Sequence, residues 1–263
     1  DGYDKSSQDV VVAAFLAAYT GRDASSSSLN SFPKIPLPNW RMNYRGLTRL
    51  SFLADRFSSI DIRHSYRSVY SVNGFNSLLR YEERNGAAHS RDVNGNFLPF
   101  YQYSQVTIAE QFSPLIGVDT RFKNNVSANF EIGRSRLLGL SFANSQLAQL
   151  SENNMVFGLG YRTNKFRFPF GMFKQLKMDN NMDFKLDIAV RDNKTVIYRA
   201  DIAEAEVSSG AKNITLRPTV DYVLNQRFNI RLFYDSNITK PYTSQTFNTA
   251  FTNFGFSLRI TLN

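Results

Sequence analysis

The 263-residue sequence predicts an all-β fold. It reads as the antiparallel transmembrane strands of an outer-membrane β-barrel, about 11 or 12 of them, behind a short N-terminal helix. Three observations predict it. From Trp40 onward, apolar and polar residues alternate with period two, the spacing that sends successive side chains to opposite faces of a strand. Aromatics make up 14% of the chain, with 23 Phe and 13 Tyr, and crowd the apolar face and its ends as interfacial girdles do. The longest apolar run, Val10 to Tyr19, is ten residues, half of the roughly 20 that a membrane-crossing helix needs.

Residues 1–38 differ from the rest and form an apolar helix with a proline-rich tether, whereas residues 39–263 carry the strands. Ser7 is placed to cap a helix from about Gln8 to Tyr19, and Gly21 to end it. That helix is apolar nearly all round and must be buried, inside the barrel or against a partner, unless it is a periplasmic connector. The polar stretch Ser25-Ser26-Ser27-Ser28 follows, then Phe32-Pro33-Lys34-Ile35-Pro36-Leu37-Pro38, whose prolines forbid a helix and favour an extended tether. The chain opens on Asp1 without a basic n-region or signal-peptide pattern, which reads as a processed chain or a piece of something longer.

Along 183–191, Phe184, Leu186, Ile188 and Val190 share one face, and Asp183, Lys185, Asp187, Ala189 and Arg191 the other. Along 214–224, Ile214, Leu216, Val220, Tyr222 and Leu224 oppose Thr215, Arg217, Thr219 and Asp221. Along 228–235, Phe228, Ile230, Leu232 and Tyr234 oppose Asn229, Arg231, Phe233 and Asp235. Along 254–262, Phe254, Phe256, Leu258, Ile260 and Leu262 oppose Gly255, Ser257, Arg259 and Thr261. Rougher copies fall at 40–44, 60–72, 118–122, 126–132, 138–142 and 155–163. A further strand pair is expected around a turn at Asp192-Asn193, because Thr195 to Tyr198 is β-branched and aromatic.

A soluble sandwich also alternates, burying its apolar face between two sheets. The barrel is favoured by strands near ten residues long, by the aromatic crowding, and by charges of both signs well inside strands, which suit a hydrated lumen. On this reading Phe184, Leu186, Ile188, Val190, Ile214, Leu216, Phe256, Leu258 and Ile260 face lipid. Asp119, Arg121, Lys185, Asp187, Arg217, Asp221, Arg231, Asp235 and Arg259 line the transport path.

The chemistry is bounded by what is missing. With no Cys, disulfides, thiol nucleophiles and Cys-ligated metal are excluded, and two His, His64 and His89, cannot build a multi-histidine site. No cofactor and no enzymatic role are expected. His64 shares a face with Ile60, Ile62 and Tyr66 and reads as a packed or interfacial histidine; its rival role, the base of an outer-membrane hydrolase, needs a nucleophile nearby. His89 falls in a polar loop. Asp92-Val93-Asn94-Gly95-Asn96 reads as a turn, since no acidic residue closes a calcium loop. Gly158 and Gly160 lie on a strand with no helix start after them, so they are not a phosphate loop but ease packing or bending. Lys and Arg number 31 against 22 Asp and Glu, a net charge of +9, yet they are spread singly. That spread argues against nucleic acid and for a mixed-sign lumen or for contacts to lipopolysaccharide phosphates at the rim.

Several strings resemble the SprA/Sov outer-membrane translocon of the Bacteroidetes type 9 secretion system. They are Gln8-Asp9-Val10 through Tyr19, the Phe32 to Trp40 tether, and Glu110-Gln111-Phe112-Ser113-Pro114-Leu115-Ile116-Gly117-Val118-Asp119. The likeness continues in Phe173-Lys174-Gln175-Leu176, Arg191 to Arg199, Asn225-Gln226-Arg227-Phe228-Asn229 and Thr239-Lys240-Pro241-Tyr242-Thr243-Ser244. The resemblance implies a carboxyl-terminal part of a giant barrel, of roughly 36 strands in the largest known, so that these strands form one arc of the wall. It implies that the remaining segment of the same translocon, a PorV-like barrel protein, a plug protein and outer-membrane lipid are partners. Secreted cargo carrying a carboxyl-terminal signal domain would be what passes through. A self-contained barrel of about 12 strands, a small porin or adhesin, is the alternative.

Overall fold

An extended segment leaves a row of backbone N–H and C=O groups that only a neighbouring strand can satisfy. In the computed structural model, which describes residues 2–5, 7–23, 38–85, 87–167, 177–178, 180–199, 205–225, 227–243 and 246–261, nine strands meet that demand in one antiparallel sheet. In chain order they are β1 (Trp40–Tyr44), β2 (Phe57–Asn73), β3 (Gln105–Phe122), β4 (Val126–Ser141) and β5 (Gln146–Thr163). β6 (Met182–Arg199), β7 (Ala205–Val223), β8 (Phe228–Pro241) and β9 (Thr249–Ile260) follow. Sheet order is chain order, so every strand pairs with its predecessor. β1 and β9 are the two edges and do not pair with each other. The Ser25–Ser28 stretch and most of the proline-rich tether lie outside the described residues, as do Phe173 to Leu176.

The sheet is mostly antiparallel β as expected, but its strands are fewer and longer. β5 and β6 each run 18 residues and β7 runs 19, well beyond the near-ten of the expectation. The segments expected separately at 126–132 and 138–142 are two halves of β4. No turn interrupts Asp192-Asn193; β6 runs through it, paired with Asn153 and Glu152 on one side and Lys212 and Ala211 on the other. Polar residues of both parities blur the alternation there, yet neighbours on both sides satisfy the backbone, so the strand continues. β3 similarly spans Ser113-Pro114-Leu115, absorbing them as a bulge between the Phe112–Arg134 and Ile116–Ile132 pairs. Proline is tolerated at such an irregularity because no ladder hydrogen bond is required of it.

The N-terminal helix, α1 (Gln8–Thr20), ends as expected at Gly21, in the left-handed region at φ 69°. Ser7 holds the N-cap position, but its hydroxyl accepts from the Asp4 N–H at 3.0 Å rather than from the helix. α1 lies on the apolar face of the sheet itself. Val12 and Phe15 pack with Tyr103, Val106, Ile108, Leu138 and Leu140 in the main core cluster. Burying each such side chain contributes about 1.5–3 kcal/mol. Both ends are pinned: the Gln8 side chain donates to the Tyr101 carbonyl and accepts from the Tyr103 N–H, each at 2.8 Å. The Tyr19 hydroxyl donates to Glu110 at 2.7 Å.

Candidate functional site

Cross-strand register sorts the side chains into two faces. One face holds largely apolar rows across β3 to β8, interrupted by Thr120 and Ser236. One row is Ile116, Ile132, Met155, Val190, Ile214 and Ile238; the next two begin Val118, Phe130, Phe157, Ile188 and Thr120, Ala128, Leu159, Leu186. A fourth joins Val126, Tyr161, Phe184, Val220, Leu232 and Phe256. The rows carry no charged side chain and span roughly 20 Å along the strands. They are uncovered: Met155, Leu159 and Tyr161 are all exposed, and Phe254 and Phe256 are 76% and 75% exposed. An apolar patch of this extent marks a protein or membrane interaction surface. The nine residues expected to face lipid all lie on this face, most of them between apolar neighbours such as Leu159 and Pro218 for Leu186.

Aromatics edge the rows. Phe57 packs tilted against Phe122 at 4.4 Å between centroids, and Tyr161 stands 6.3 Å from Phe184. At the other side Trp40, Tyr66 and Phe112 form a cluster, with centroids 4.5 Å and 4.8 Å apart. His64 sits within it, 6.2 Å from Trp40, and its Nδ1–H donates to the Leu115 carbonyl at 2.6 Å. Ring packing and that hydrogen bond account for it structurally.

The opposite face is polar and laced with ion pairs, most of them between neighbouring strands. Arg63 on β2 reaches Asp119 on β3 at 2.8 Å and Glu131 on β4 at 3.3 Å. Arg191 holds Glu152 through two bonds, at 2.9 Å and 3.0 Å. Arg231 grips Asp221 through two bonds, at 2.7 Å and 3.2 Å, and Arg217 meets Asp235 at 3.0 Å. Arg162 pairs with Asp183, and Arg45 with Asp61. These pairs are half exposed, so each contributes only about 0.2–1 kcal/mol. Their effect is on the field, because a guanidinium beside most of the carboxylates intersperses the two signs across the face.

All nine residues expected to line the transport path lie on this face. Asp119, Arg217, Asp221, Arg231 and Asp235 take part in the pairs, whereas Arg121, Lys185, Asp187 and Arg259 make no ion pair among the described residues. Arg63, Glu131, Glu152 and Arg162 were not among those expected; only register reveals them, since each meets a partner on another strand, Arg162 directly opposite Asp183 and the others diagonally or across Gly117. Hollows open on this face. One of about 720 Å³ is lined by Arg45, Asp61, Asp119, Arg121 and Asn129. Gly158 sits on β5 beneath the Asn129 side chain, which occupies the place of a Cβ. Phe233, the large aromatic out of phase with the apolar side of β8, lies over Gly255 of β9, where a Cβ would come 2.8 Å from its ring.

The remaining candidates are structural. His89 is in a loop, its N–H donating to the Glu82 carbonyl at 2.9 Å. Asp92 accepts from the Asn94 and Asn96 N–H groups at 2.8 Å and 2.9 Å, an Asx-type turn closed by Gly95 at φ 82°. Among the described residues no group of three or more acidic or His side chains is gathered for a metal.

Together these features define an open antiparallel sheet with one uncovered apolar face and one ion-paired polar face. No protein-family model matches the chain, and no curated protein matches it significantly.

Proposed function

We propose that the chain is a carboxyl-terminal section of the barrel wall of a type 9 secretion translocon in the bacterial outer membrane, with folded cargo passing along its polar face. The observation that carries this reading is the sheet with two unlike faces and, among the described residues, two edges without a partner strand. A sheet with open edges cannot sit in lipid alone, because bare N–H and C=O groups find no partner in hydrocarbon. On this reading further strands flank β1 and β9. Cargo passage needs a hydrated surface that does not hold what it touches, and a face of mixed sign on which most carboxylates are already paired provides one. Specific transport partners, a PorV-like barrel and a plug, follow from the sequence resemblance. The test is the denatured mass of the intact native polypeptide that contains this sequence, measured on purified outer membranes. A mass many times the 30.0 kDa of the chain is expected. A 30 kDa polypeptide that conducts solutes in liposomes without partners would overturn the reading in favour of a small self-closed barrel.

A further inference from the structure

Immediately beyond the last apolar row, the same face turns basic in one register step. The next row across the sheet reads Phe112, Arg134, Asn153, Asp192, Lys212 and Lys240. The row after it carries Arg136 and Lys194, both beside Ser151. Arg134, Lys194, Lys212 and Lys240 are exposed, and none is in an ion pair among the described residues. Lys212 and Lys240 face each other directly across β7 and β8, an arrangement that costs stability unless an anion lies between them. One acid, Asp192, stands in the row opposite Lys212, against four exposed cations. Glu110 receives Arg136 at 2.8 Å, and Asp192 accepts the Tyr242 hydroxyl at 2.8 Å. On the polar face, by contrast, most arginines have a carboxylate opposite.

We propose that this row binds the phosphate-bearing head groups of anionic lipids, whose acyl chains lie on Ile132, Met155, Val190, Ile214 and Ile238. The two requirements of such an amphiphile, an apolar surface and cations at one edge of it, occur in adjoining register steps on one face. α1 and the Tyr19–Glu110–Arg136 cluster bound the row at β3 and β4, where the Arg136 guanidinium lies 5.6 Å from the Tyr19 ring centre. The assignment rests on the apolar rows facing lipid.

The polypeptide carrying this chain is mixed with vesicles of phosphatidylcholine alone, or with added phosphatidylglycerol, and membrane-bound protein is read by flotation. The wild type is expected in both, with preference for the anionic vesicles. Combining Arg134→Gln, Lys194→Gln, Lys212→Gln and Lys240→Gln should abolish the preference, at about five-fold per cation removed, and leave insertion into phosphatidylcholine intact. The Lys212→Gln/Lys240→Gln pair alone should lower it in proportion, which keeps the test decisive should the fourfold variant misfold. Lys185→Gln with Arg259→Gln, on the opposite face, should not change it. Insertion without an anionic preference, or a preference the substitutions leave untouched, overturns the head-group site and leaves the lipid-facing reading standing. Selective release by inorganic phosphate over chloride at equal ionic strength assigns the row to free phosphate and overturns the lipid assignment. Failure to insert into either vesicle overturns both.

Discussion

Leu186 and Lys185 are neighbours in sequence with opposite surroundings. Leu186 faces Leu159 and Pro218 on the apolar side, and Lys185 faces Gly160 and Thr219 on the polar side. A basic side chain placed on a lipid face near midplane costs about 2–4 kcal/mol. Leu186→Arg is therefore expected to impair assembly into bilayers by that amount, and Lys185→Leu to leave it nearly unchanged, as read by protease-resistant fraction. Equal tolerance of both would sink the lipid-facing assignment. Glu110 is the other telling residue. It accepts from Tyr19 at 2.7 Å, Tyr66 at 3.0 Å and Arg136 at 2.8 Å. Glu110→Leu strands the Arg136 charge under α1 and should cost about 2 kcal/mol. Adding Arg136→Leu should recover part of that loss in a double-mutant cycle; strict additivity would show the two are not coupled.

At the scale of elements, α1 is held by packing, since ten apolar residues have little helical stability alone. Phe15→Ala should cost about 3–5 kcal/mol and raise amide exchange throughout α1 while sparing β6 to β8. Asp9 gives the docking a pH dependence. Burial raises its carboxyl above the ordinary 3.8, outweighing the helix N-terminus that favours the anion. The folded state then holds the proton more tightly than the unfolded chain. Stability from protonated Asp9 is fully present below 3.8 and is lost as pH rises through the raised value. Asp9→Asn should stabilise α1 above that window and flatten the dependence, measured by denaturation across acidic pH. A variant with an unchanged pH profile would remove Asp9 as its source.

For the whole molecule, the edges decide the context. β9 presents twelve residues of strand with one side unpaired, and its Phe254 and Phe256 are three-quarters exposed. β1, at the other edge, covers only Ile62 to Tyr66 of the 17-residue β2. Two such unequal edges make a poor mutual closure, because most of the β9 ladder would find no matching strand. Amide exchange across β9 is therefore expected to be fast in the isolated chain and slow in the native polypeptide. Slow exchange in the isolated chain would indicate closure or self-association through this edge.

Much of this architecture was legible locally. Period two alone separates Leu186 from Lys185, and Gly21 ends the helix by its own backbone freedom; neither depends on distant partners. The N-terminal boundary of β8 at Phe228 and the whole of β1 also followed from local pattern. What the alternation missed were the stretches where both parities are polar, such as Gly133 to Arg136 and Asp192 to Lys194. There the backbone stays extended because neighbours pair with it, a condition set by other parts of the chain. The ion pairs, the basic row from Arg134 to Lys240 and the seat of α1 on Val106, Ile108 and Leu138 belong to the same class. Side-chain direction along a strand is a local consequence of the pleat and was determined by the sequence. Strand register, and with it every contact between strands, is set by long-range pairing energies, and only the tertiary structure decided it.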